Sequence, residues 1–124
     1  MKPEIKARWV EALRSGKYEQ GRGALRSDTN QFCCLGVLCD LYAKETGEKW
    51  AEGGAHGEDR FSLLGNDLVL PRSVARWAGL DGVDPDLCIH GRELGVSGHN
   101  DGDLDVGRRP KPFTTIADAI EEQL

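Results

Sequence analysis

No stretch of the 124-residue chain approaches the roughly 18 consecutive apolar residues that a membrane span needs, so the sequence holds no transmembrane helix. The opening Met1-Lys2-Pro3-Glu4 lacks the apolar core of a secretory signal, and a cytoplasmic location is expected from it. Long basic runs are missing as well. Formal net charge is −5, and the lysines and arginines are scattered among acids, which argues against a dedicated nucleic-acid surface. There is no internal repeat and no low-complexity linker, so residues 1–124 read as one globular domain. Four cysteines without an export signal read as reduced thiols, and they include no CxxC pair.

What is present is a chain of modest apolar content, 39%, and high charge, 30%, as suits a small domain with a limited core. Pro3 suits a first helical turn, and Ile5, Trp9, Ala12 and Leu13 follow at helical spacing to about residue 15. Gly16 to Gln31 is turn-rich, with a short strand expected at Ala24-Leu25-Arg26. From Cys33 to Thr46, a broad apolar arc of Cys34, Leu35, Val37, Leu38, Leu41 and Tyr42 predicts a central helix closed by Gly47, with Asp40 and Lys44 on its wet side. Residues 48–67 suggest an exposed excursion with strands near Trp50 and Phe61-Leu63. Leu68-Val69-Leu70 reads as a brief strand, and Pro71, Val74, Trp77 and Gly79 mark a short helix. Asp81 to Pro112 reads as irregular apart from a strand at Leu87-Cys88-Ile89. A final helix runs from Phe113, capped by a threonine, with Ile116, Ala117, Ile120 and Leu124 on one face. The fold class expected is α+β: one small, helix-dominated domain with a central cysteine-rich helix, a C-terminal helix and a few short strands.

Three constellations bear on chemistry. Cys33 or Cys34 at a helix start would have its thiolate favoured by the helix dipole, and His56, His90 or above all His99 could supply a base, giving a hydrolase or transferase reading. Against it, small apolar thiols pack readily into helix cores. Asp101, Asp103 and Asp105 alternate like the start of a calcium loop, but Val106 stands where the glycine belongs and Pro112 where the bidentate glutamate belongs. Neither this turn nor Cys88 with His90 completes a metal site, and no metal or other cofactor is expected. Gly21-Arg22-Gly23, flanked by Gln20 and Arg26, offers amides and guanidinium groups for a phosphate or carboxylate, and Arg108-Arg109 offers the same contact.

The run Trp9 to Gly23, with its Ala12-Leu13-Arg14-Ser15-Gly16 and Gln20-Gly21 positions, and the block Phe32-Cys33-Cys34-Leu35-Gly36-Val37-Leu38-Cys39-Asp40 resemble a family of small proteins of tailed bacteriophages and prophages. The likeness resumes at Leu70-Pro71, Trp77 to Leu80, Asn100-Asp101 and Phe113 to Leu124, and the stretch between Asn100-Asp101 and Phe113 is longer than in that pattern. The resemblance implies an accessory protein of the host-cell cytoplasm that acts by binding, either sequestering a nucleotide-derived immune signal or blocking a host defence protein. Under that reading Gln20, Arg22, Arg26, Asn100 and Asp101 are the expected ligand-binding residues. A structural or regulatory module that pairs with itself is a third reading, since small domains gain stability by oligomerising.

Overall fold

The computed structural model describes all residues, 1–124. Five α-helices and seven short strands occur in the order α1 (Pro3–Arg14), β1 (Glu19–Gln20), β2 (Arg26–Ser27), β3 (Gln31–Phe32), α2 (Cys34–Thr46), β4 (Ala51–Gly54), β5 (Gly57–Ser62), α3 (Arg72–Ala78), β6 (Asp86–Ile89), β7 (Arg92–Gly95), α4 (Val96–Asp101) and α5 (Phe113–Gln123). A 3-10 turn at Leu104–Val106 lies between the last two helices. The fold is α+β. No helix is long and apolar enough to cross a membrane.

The central position of α2 follows from its sequence. Every residue from Cys34 to Asp40 is buried, which requires partners all round the helix. Helices α1, α3 and α4 and strand β3 provide them. Gly36 is what allows the chain to cross α2 so closely, because a Cβ there would lie 1.7 Å from the Leu25 carbonyl oxygen. On α1, Ile5, Trp9, Val10 and Leu13 fall on one face and are buried. The Trp9 indole is wholly enclosed and donates to the Cys34 carbonyl at 2.9 Å, so its large apolar body is removed from water without stranding its N–H. Gly47 ends α2 in the left-handed conformation at φ 82°, as expected for a helix stop.

Five strands form one sheet in the order β1-β3-β2-β5-β4, parallel only between β1 and β3. Register places Phe32, Arg26 and Phe61 side by side across three strands. The Arg26 guanidinium lies 4.2 Å from the Phe61 ring centre and 5.5 Å from that of Phe32. The expected excursion at 48–67 is therefore the β4–β5 hairpin of this sheet. Its tip is anchored by buried Asp67, which accepts from the His56 amide at 2.9 Å and meets the His56 ring at 2.8 Å.

Several expectations need correction. The ladder near Leu25 begins at Arg26, because Ala24 and Leu25 turn into the core. Leu68-Val69-Leu70 is a bend, not a strand: Leu70 is buried and donates to the Val83 carbonyl, while Leu68 faces solvent. Asp40 is not on the wet side of α2 but 9% exposed, accepting from the Tyr18 hydroxyl at 2.6 Å and the Trp50 indole at 3.1 Å. No threonine caps α5, since Pro112 holds the cap position and makes no side-chain bond there. The stretch 81–112 is largely ordered. Beyond the expected strand at Leu87-Cys88-Ile89 it contains the β6–β7 hairpin and all of α4. Helix α4 lacks a periodic apolar face and is built from Val, Ser, Gly, His, Asn and Asp, all poor helix formers, so propensity alone could not announce it. Tertiary structure supplies the start instead: Asp84 accepts from the Ser97 amide at 2.9 Å and places a carboxylate at the positive end of the helix.

Candidate functional site

Of the five residues expected to bind a ligand, Gln20, Asn100 and Asp101 meet, and their polar groups bond to one another and to nearby backbone. Asn100 is wholly buried on α4. Its Oδ1 accepts from Gln20 Nε2 at 3.0 Å and from the Cys34 amide at 3.1 Å, and its Nδ2 donates to the Gly21 carbonyl and to Asp101 Oδ1, each at 2.9 Å. Gln20 also donates to the Lys111 carbonyl at 2.8 Å and accepts from the Phe113 amide at 3.1 Å. Asp101 accepts from the Gly23 amide at 3.1 Å. The first turn of any helix has amides without intrahelical partners. Here buried Asn100 serves that role for α2 and half-buried Gln20 for α5, so the pair is a brace between two helix starts. Arg26 donates to Asn30 and is stacked on the aromatic sheet face. Arg22 alone of the five is exposed without a side-chain bond.

The thiols expected to act as nucleophiles lie in the core. Cys33, Cys34 and Cys39 are buried and Cys88 is exposed. Burial pushes the Cys33 thiol up to about 12, against the opposing bond from the Gly36 amide, and burial pushes Cys34 well above the usual thiol value. That is the reverse of activation. Both groups of the expected pair are engaged with backbone: His99 Nε2 is 2.7 Å from the Leu87 carbonyl, and Cys34 Sγ points to the Val96 carbonyl at 3.7 Å.

A different cluster has the composition of a binding site. The chain after α4 turns back on itself at Gly102, whose φ of 67° favours glycine and where a Cβ would lie 2.5 Å from the Pro110 nitrogen. Paired backbone bonds between Asp103 and Arg108, at 2.6 and 2.8 Å, close the turn, and the Lys111 amide donates to the His99 carbonyl at 2.8 Å. This fold-back brings Arg108, Arg109 and Lys111 against the tip of the β6–β7 hairpin, which contributes His90 and Arg92, with His99 behind them. The hairpin tip is a two-residue loop with both central residues left-handed, His90 at φ 52° and Gly91 at φ 76°. A non-glycine residue held in that region stores a small strain.

Together these side chains line a cleft of about 60 Å³ with Ile89 as its one apolar contributor. None of Arg92, Arg108, Arg109 and Lys111 forms an ion pair, whereas the paired cations of the protein, Arg8, Arg14, Lys44, His56 and Arg60, lie elsewhere. Arg108 Nε is buried and meets no protein acceptor, and it is the one such side-chain nitrogen or oxygen in the structure. A buried donor in that condition costs about 1–3 kcal/mol, more when charged. The arrangement can therefore grip a small oxyanion. Arg108-Arg109 was visible in the sequence as a contact for anions, but His90, Arg92 and Lys111 were not: they join it only through the hairpin and the turn at Gly102. No group of three or more His, Cys, Asp and Glu side chains is close enough to hold a metal ion.

Among protein-family models, the one described as "Domain of unknown function (DUF8296)" matches residues 1–124. No curated protein and no solved structure matches the chain. The match spans the whole length, brace, core thiols and basic cleft included, and the chain belongs to the DUF8296 family.

Proposed function

We propose that this protein acts by binding an anionic small molecule in the cleft between the β6–β7 hairpin and the turn that carries Arg108, Arg109 and Lys111. The observation that carries the reading is the set of unpaired cations that line one cleft, among them Arg108, whose buried Nε meets no protein acceptor. In a chain with 21 acidic residues against 16 basic ones, holding four cations together unpaired works against folding unless an anion is bound there. Burial of the thiols supports binding over a cysteine-nucleophile reaction.

The resemblance to small tailed-phage proteins supplies a setting: an accessory protein that sequesters a nucleotide-derived defence signal by its phosphate. The cleft takes over the part first assigned to Gln20 and Asn100, whose side chains form the helix brace, while exposed Arg22 remains free for an outlying contact. Calorimetric titration against cyclic nucleotides, ADP-ribose derivatives and nucleoside monophosphates tests the reading. Binding to at least one of them that is lost in the double variant Arg108→Ala/Arg109→Ala is the expected result. No heat with any member, from protein whose circular dichroism shows it folded, overturns it.

A further inference from the structure

We infer, on the basis of that reading of the cleft, that what it accepts is the free end of a phosphomonoester and not an internal phosphodiester. The volume decides this first. At about 60 Å³ it is far below the roughly 300–1,000 Å³ of pockets that enclose a whole small molecule. One oxyanion headgroup enters, and the rest of its carrier stays outside among exposed Arg92, Arg109 and His90. A monoester has a single substituent and can be inserted phosphate first. The phosphorus of a diester carries two, and one of them must follow it into a space with no room.

Charge points the same way. A phosphomonoester carries about −1.5 to −2 at neutral pH with three acceptor oxygens, whereas a diester carries a single charge. The cleft offers Arg92, Arg108, Arg109 and Lys111, none neutralised by a carboxylate. Arg108, which lines the cleft, has an Nε–H without a protein acceptor, and a guanidinium edge is suited to two oxygens of one phosphate.

The test uses a matched pair, methyl phosphate and dimethyl phosphate, with inorganic phosphate as a third probe. A heteronuclear NMR titration follows the arginine Nε–H resonances of the full chain at low salt. Methyl phosphate and inorganic phosphate are expected to bind at least about tenfold more tightly than dimethyl phosphate and to move the Arg108 Nε–H signal. Arg108→Lys, which keeps the charge but removes the Nε donor, weakens methyl phosphate by about tenfold, the effect of one charge-assisted hydrogen bond. Arg109→Ala, at an exposed position, gives a second variant that does not disturb the buried group. Equal binding of both esters, weakened together by the variants, overturns this inference and leaves the binding function standing. Absence of binding by all three probes, or binding that neither variant changes, overturns both.

Discussion

Truncating Asn100 to alanine tests the claim that this residue is a brace and not a ligand contact. Its side chain is wholly buried and makes four hydrogen bonds, two accepted and two donated. The change strands the Cys34 amide, in the first turn of the central helix, and removes a partner from the Gly21 carbonyl and from Gln20. One stranded buried backbone group costs about 1–3 kcal/mol. With the second group and the space left behind, the loss should total about 3–5 kcal/mol, a large share of the roughly 5–15 kcal/mol that holds a domain folded. A fall of about 4 °C per kcal/mol is expected at this chain length, so Tm drops by about 12–20 °C. Urea unfolding followed by tryptophan fluorescence measures it, since Trp9 bonds to the Cys34 carbonyl in the same turn. Asn100→Asp separates the hydrogen bonds from the volume. It keeps the acceptor for Cys34 but sets a carboxylate against the Gly21 carbonyl and Asp101, so its deficit relative to the natural protein should shrink on acidification, as the new carboxyl takes up a proton. A loss below about 1 kcal/mol for Asn100→Ala would refute the brace.

Three further outcomes follow from the same structure. Gly36→Ala forces a methyl group against the Leu25 backbone, and because backbone cannot swing aside the cost should reach the upper end of overpacking, about 3 kcal/mol, read from thermal melting by circular dichroism. For Asp40, burial alone would raise the carboxyl, but bonds from Tyr18, Lys44 and Trp50 outweigh it and hold the group below its ordinary value. A carboxyl lowered on folding contributes stability that is complete above its unfolded value, near pH 4, and is lost as pH falls through the folded value. Denaturation midpoints should therefore decline as pH falls below about 4, and less steeply in Asp40→Asn; parallel curves would contradict the assignment. Iodoacetamide at neutral pH should label Cys88 rapidly and Cys33, Cys34 and Cys39 only after unfolding, as mass spectrometry of timed samples can show.

The parts legible in the sequence are those whose burial follows a period. Helices α1, α2 and α5 each bury residues at helical spacing, and their extents differ from expectation only at the ends. Helix α4 was hidden because Asp84, twelve residues before its start, provides the first-turn contact that a local cap would otherwise supply. The bracing role of Gln20 and Asn100 was hidden for a related reason. Gln20 and Asn100 have side chains equally suited to bonding a ligand or a helix amide, and only the positions of the α2 and α5 first turns decide between the two.

The brace and the cleft are also mechanically joined, which makes the long stretch from Asn100 to Phe113 more than a connection. At one end Asn100 holds the start of α2, and at the other Gln20 holds the Lys111 carbonyl and the Phe113 amide. The Lys111 amide is in turn fixed to the His99 carbonyl. Arg108 and Arg109 therefore hang from a turn whose two ends are pinned to the buried core. A site for one oxyanion needs that rigidity, because cations on a loose loop would separate under their own repulsion before an anion arrived. Loss of the brace in Asn100→Ala should thus lower both stability and affinity for methyl phosphate, whereas Arg109→Ala should lower affinity alone. Measured on the two variants, a split in that pattern would separate the scaffold from the site it holds.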